Sequence, residues 1–269
     1  MDMNLRENIN SRYRALIKAE QILEKRAVSK KDIEVLSELK GKIPTKAVNG
    51  LYTVFNKAFH IVFTKGTSVV EKTYDAQYLR FKHDRFNNSL NENGRKGFTD
   101  MYLDSAKRQL GNLALSTVEG VCMGLAGIGL PDAVAFVGFI LKGVYETALN
   151  FGFDYNIPIE RLFILKMLQA SLSKGKERET LNRQVDEMIY SDFQIHEESF
   201  EQEIKRASEI MVDEMLLCKF VQGIPIIGAA GGMFNGLFYN RIICYVQLKY
   251  QKRYLLKLAQ QNNVNLEQR

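Results

Sequence analysis

Residues 121–141 read VCMGLAGIGLPDAVAFVGFIL, and the way this stretch folds decides the architecture. It has the length of one bilayer span, about 20 apolar residues, and Asp132 is its only charge. Pro131 and Asp132 fall at its middle. A central Asp costs about 2.5–3.5 kcal/mol on an insertion scale, and each Leu, Ile, Val or Phe returns only about 0.3–0.6 kcal/mol. Glycines and a proline oppose a straight span further. Two shorter helices meeting at the Gly–Pro break fit better, with glycine closing the first and proline opening the second. Such a pair packs as a hairpin in a protein core or dips partly into a membrane.

Outward from this break, the chain reads as helix on both sides. Four prolines in 269 residues leave long stretches free of helix breakers. No alternating apolar and polar runs recur with hairpin turns between them, as strands require. Val48, Leu51, Val54, Phe55, Ala58, Phe59, Val62 and Phe63 recur at helical spacing after Ile43–Pro44. The stretch NNSLNENGRKG at 87–97 predicts a loop, and Asp100 caps the helix that leads into the break. Further helices are predicted from Ala133 to about Phe151, from Pro158, across the acidic region 176–215, and from the Gly223–Ile224–Pro225 break to about Gln260. The expected fold is all-α: a multi-helix bundle with a glycine-rich apolar hairpin and a long C-terminal helix. Its expected parts are a basic helical arm at 1–42, a helical domain at 43–260 and a polar tail at 261–269.

Gly228, Gly232 and Gly236 recur every four residues, and Gly120 and Gly124 repeat the spacing once. Glycine costs a helix about 1 kcal/mol relative to alanine. A second helix pressed against the bare face compensates for that cost, so these five are expected to be packing glycines. Charge is unevenly spread: the net is +6 overall, +8 over residues 1–110, −7 over 176–215 and +5 over 240–269. The basic ends suit either an anionic surface or pairing with the acidic region. Arg241, Lys249, Lys252 and Arg253, interleaved with Tyr245, Tyr250 and Tyr254, are expected to face phospholipid headgroups rather than nucleic acid.

Chemistry-bearing motifs are few. Cys122, Cys218 and Cys244 are widely spaced, and His60, His83 and His196 have no ligand neighbours at helical spacing. Neither a zinc site nor a disulfide framework is indicated, and no phosphate loop or nucleophile elbow is present. No metal, cofactor or catalytic set is predicted. Glu119, Asp132, Lys142 and Glu146 stand out as ionisable residues in apolar surroundings. Lys142 and Glu146 can pair four apart on one helix. Glu119 and Asp132 flank the break, either as a buried carboxylate pair or as caps that satisfy free backbone amides.

The segments Val118–Glu119–Gly120, 124–132 (GLAGIGLPD) and 145–154 (YETALNFGFD), with Glu160–Arg161–Leu162–Phe163, resemble the central block of the EcsC family. Residues 224–235 and the basic helix to Tyr254 resemble its C-terminal block, and Ile43–Pro44 sits where the family carries an Ile–Pro. The resemblance spans about 43–256. Asn150 stands where many members have cysteine, so no role of that thiol transfers. The resemblance implies an association with membranes or transport, because some members are encoded beside an ABC transporter, and it implies no cofactor.

The opening residues, Met1 to Arg6, lack the apolar core of a signal peptide, which points to the cytoplasm. The expected function is therefore non-enzymatic docking on the cytoplasmic membrane face, with an anionic surface or a membrane protein such as an ABC transporter as partner. The alternative is a soluble all-α enzyme or carrier with an apolar pocket at the glycine-rich hairpin.

Overall fold

A computed structural model of the chain describes residues 3–27, 38, 41, 43–64, 70–119, 129–190, 197–221 and 232–266. Among these it contains eight long helices: α1 (Met3–Ala27), α2 (Thr45–Thr64), α3 (Ala76–Glu119), α4 (Leu130–Asn150), α5 (Pro158–Leu172), α6 (Gly175–Tyr190), α7 (Glu197–Val221) and α8 (Gly232–Gln261). No strand occurs among the described residues. The all-α bundle is as expected.

Local chemistry explains both ends of α4 and the start of α5. Pro131 lies in the first turn of α4, where a missing N–H costs nothing. Ile157 precedes α5 in extended conformation, and Pro158 opens it. At the other end of α4, Gly152 takes a φ of +79°. Its N–H bonds to the Leu149 carbonyl at 3.0 Å, and the Phe153 N–H bonds to the Ala148 carbonyl at 2.9 Å. This left-handed closure needs glycine and satisfies carbonyls that the helix leaves open.

α3 departs from expectation. Residues 87–97 are helical rather than a loop. Yet Lys82 pairs with Asp104, 22 residues on, which a straight helix would hold about 33 Å away. The element therefore folds back on itself between those two residues. The expectation of a loop at 87–97 is therefore corrected: polar composition there did not interrupt the helical backbone.

The core lies where α4, α5 and α8 meet. α4 packs on α2, α3 and α8; α5 packs on α6, α7 and α8; α8 also contacts α1 and α3. α2 buries Val48, Phe55, Ala58, Phe59, Val62 and Phe63, the stripe its periodicity predicts. α5 is enclosed almost all round, from Leu162 to Leu172. α1 is fastened by Ile9, Tyr13 and Leu16, all buried. No helix among the described residues is long and apolar enough to cross a membrane. Residues 121–128, which begin the apolar window, lie outside the described part.

One glycine is pressed hard against a neighbour. A Cβ on Gly143 of α4 would stand 2.2 Å from Tyr239 Oη and 2.9 Å from Ile243 Cδ1 of α8. The close approach of these helices is thus set by Gly143. Of the expected packing glycines, Gly120, Gly124 and Gly228 lie outside the described residues, as do the surroundings of Gly232, and Gly236 is half-buried on α8.

Candidate functional site

Lys249 and Lys252 are three apart on α8 and so share one face, which turns toward α1 and α6. Lys249 Nζ lies 2.8 Å from both Glu20 Oε1 and Asp186 Oδ1. Lys252 Nζ lies 3.1 Å from Glu20 Oε2 and 3.0 Å from Asp186 Oδ1. Two cations thus meet two carboxylates, and both lysines are buried. Burial by itself would lower the Lys252 pKa, but the charges of Glu20 and Asp186 outweigh it and raise the value. Beside them, Arg178 forks onto Glu24 at 2.9 and 3.0 Å. The expectation that Lys249 and Lys252 face a membrane is therefore corrected. Their charge is consumed inside the bundle, by carboxylates that sequence distance had hidden.

Arg241 is likewise committed. It pairs with buried Glu214, which Lys174 also reaches at 3.2 Å, and donates to the Leu172 carbonyl at 3.3 Å. Asp132 is exposed at the start of α4, and its Oδ2 accepts the Gly129 N–H at 3.1 Å. That is cap geometry, so Asp132 forms no buried carboxylate pair. Glu119 ends α3, with its side chain outside the described part. Lys142 and Glu146 are half-buried on α4.

Arg253, the next residue after Lys252, points elsewhere. Its Nη1 donates to Glu160 Oε2 at 2.7 Å, and its guanidinium carbon lies over the Phe153 ring at 4.3 Å and the Phe163 ring at 5.0 Å. Glu160 is buried in the first turn of α5, and its other oxygen accepts the Tyr250 hydroxyl at 2.8 Å. Burial, then the Glu160 charge, pushes the Tyr250 pKa far up, so this hydroxyl stays a donor. These contacts hold the guanidinium in one orientation.

That orientation faces an open groove of about 900 Å³. One wall is the α8 stripe Arg253, Leu256, Lys257 and Gln260, at the spacing of one helix face. Met188, Ile189 and Tyr190 at the end of α6 form a second wall, and Gly152, Phe153, Asp154, Ile157, Ile159 and Glu160 line the rest. The segment that carries these residues is pinned by Tyr155, whose ring stacks on Tyr145 at 4.1 Å and whose hydroxyl donates to Glu71 at 2.6 Å. Asp154 is tied to Arg80 at 3.2 Å. Burial would raise the Asp154 pKa, but the Asn156 N–H and Arg80 hold it down, so it stays charged and paired. Lys257 is exposed and has no ion-pair partner among the described residues.

This geometry is carried by a chain whose residues 10–255 match the model of the EcsC protein family. The chain belongs to the EcsC family. No curated protein and no solved structure matches it. For this EcsC-family chain the groove brings the cations Arg253 and Lys257 beside the half-exposed apolar side chains of Ile157 and Tyr190. Sequence reasoning missed Glu160, Lys257 and Phe153 as members of one site. Glu160 lies 93 residues from Arg253 and reads locally as an ordinary acid favouring a helix N-terminus. The one signal available was the 253, 256, 257 and 260 stripe, which mixes two cations with leucine on a single face.

Proposed function

We propose that this EcsC-family chain is a non-enzymatic binding protein that docks on the cytoplasmic face of a membrane and engages amphiphilic molecules through the α8 groove. The observation that carries this reading is the juxtaposition of an apolar wall with accessible cations. Ile157 and Tyr190, about half exposed at 49% and 50%, stand at the same groove as Arg253 and Lys257. A surface combining apolar side chains with basic ones suits the boundary between headgroups and acyl chains. A binding role also fits the commitment of the other charges. Glu160, Glu214, Lys249 and Lys252 are buried and paired with Arg253, Arg241 and Asp186, and these ion pairs join helices of the bundle.

Docking is tested by sedimenting the full chain with vesicles of phosphatidylglycerol or of phosphatidylcholine. Binding to the anionic vesicles that weakens steeply between low and high salt is expected. Absence of binding to anionic vesicles, or binding indifferent to lipid charge and salt, contradicts docking. A protein that stays in solution but binds amphiphiles would instead be a soluble carrier.

A further inference from the structure

Given that the groove is the binding site, the geometry points to a defined ligand class: a single-chain amphiphile whose oxyanion head is held by Arg253 and Lys257. Arg253 is a prepared donor. Its one hydrogen bond goes to Glu160, and no other acceptor among the described residues takes its remaining N–H groups. Its guanidinium lies over the Phe153 and Phe163 rings, which restrict its movement before anything binds, and a guanidinium fork suits recognition of planar or phosphate oxyanions.

Glu160 offsets the charge of Arg253, and Arg80 offsets that of Asp154. Among the described residues, the one charge lining the groove without an opposite partner is therefore positive, on Lys257, one turn beyond Arg253 on the same face. Directional donors come from one residue and net attraction from the other. The tail side is supplied by Ile157, Ile159, Met188, Ile189 and Leu256. The volume of about 900 Å³ lies near the top of the range of about 300–1,000 Å³ usual for small-molecule sites. Fatty-acid carboxylates and single-chain phosphate monoesters share the required chemistry.

The test is titration calorimetry on the full chain, below micellar concentrations. The four probes are dodecanoate, dodecyl phosphate, the neutral dodecyl maltoside and inorganic phosphate. Both anionic amphiphiles should bind, the neutral one about tenfold or more weaker, and inorganic phosphate not measurably. The tighter of the two anionic probes tells which head is preferred. Lys257→Gln should weaken anionic binding several-fold and leave the neutral probe unchanged. Arg253→Lys should weaken anionic binding about tenfold, with far-UV circular dichroism confirming the fold. Because Arg253 also supports Glu160, the exposed Lys257 decides if Arg253→Lys is unstable. Equal affinity for neutral and anionic probes would overturn the head assignment while leaving an apolar groove in place. Equal binding of inorganic phosphate would overturn the amphiphile. If no probe binds, the groove itself is not a binding site, and the ligand assignment falls with it while docking stands or falls on the vesicle test.

Discussion

Lys252 and Arg253 are neighbours in sequence, yet they do different work. A helix turns about 100° per residue, so one points at Glu20 and Asp186 inside the bundle and the other at the groove. Lys249 shares the inward face and Lys257 the outward one. In sequence the basic residues of this helix read as a single cationic surface. The fold divides them into a pair that staples α1 and α6 to α8 and a pair that reaches a cavity. A count of basic residues is therefore a poor guide to surface charge when acidic partners lie far away in the chain.

The inward pair can be broken first. Lys249→Met leaves Glu20 and Asp186 facing Lys252 alone in a buried setting, and losing one member of a buried pair costs about 3–5 kcal/mol. Urea denaturation should show a loss near the lower figure, since Asp186 keeps 25% exposure. A loss below 1 kcal/mol would mean the network contributes little.

Higher on α8, Tyr239 and Ile243 cover Gly143. Gly143→Ala should cost about 1–3 kcal/mol by overpacking. Gly138, five residues earlier on α4, offers a contrast. A Cβ there would meet only Val70 at 3.7 Å, an ordinary contact, so Gly138→Ala should stabilise by up to about 1 kcal/mol. Effects of the same sign in the two variants would refute the contrast.

A smaller, pH-dependent effect should arise at His83, a third neighbour of α8. Its ring covers Gly152, its Nδ1 lies 3.0 Å from the Asn150 carbonyl, and it meets Tyr254 edge-on at 5.7 Å. Burial lowers its pKa from 6.5, outweighing the Asn150 hydrogen bond. The unfolded chain then takes up a proton before the folded one does. Stability is full above about pH 6.5 and declines as pH falls toward the folded value. Thermal midpoints between pH 7.5 and 5.5 should fall, and His83→Gln should flatten the slope.

Much of the fold could be read from sequence because its signals are local. Gly129–Pro131 and Ile157–Pro158 set the starts of α4 and α5, and apolar spacing over 45–64 marked the buried stripe of α2. The site was harder to see because its parts meet only in three dimensions. Glu20 and Lys252 are 232 residues apart, and no periodicity links them. Gly143 shows the same limit: it lacks a small-residue repeat, and only the position of Tyr239 reveals the close approach.

The division of α8 is tested most directly by taking Lys252→Gln and Lys257→Gln side by side, measuring urea midpoint and dodecyl phosphate affinity for each. Lys252→Gln should lower the midpoint clearly and leave the affinity of the folded protein unchanged. Lys257→Gln, at an exposed position, should shift stability by no more than about 0.5 kcal/mol while weakening the ligand several-fold. Two variants that lose stability alike, or affinity alike, would contradict the separation of a structural face from a binding face on this helix.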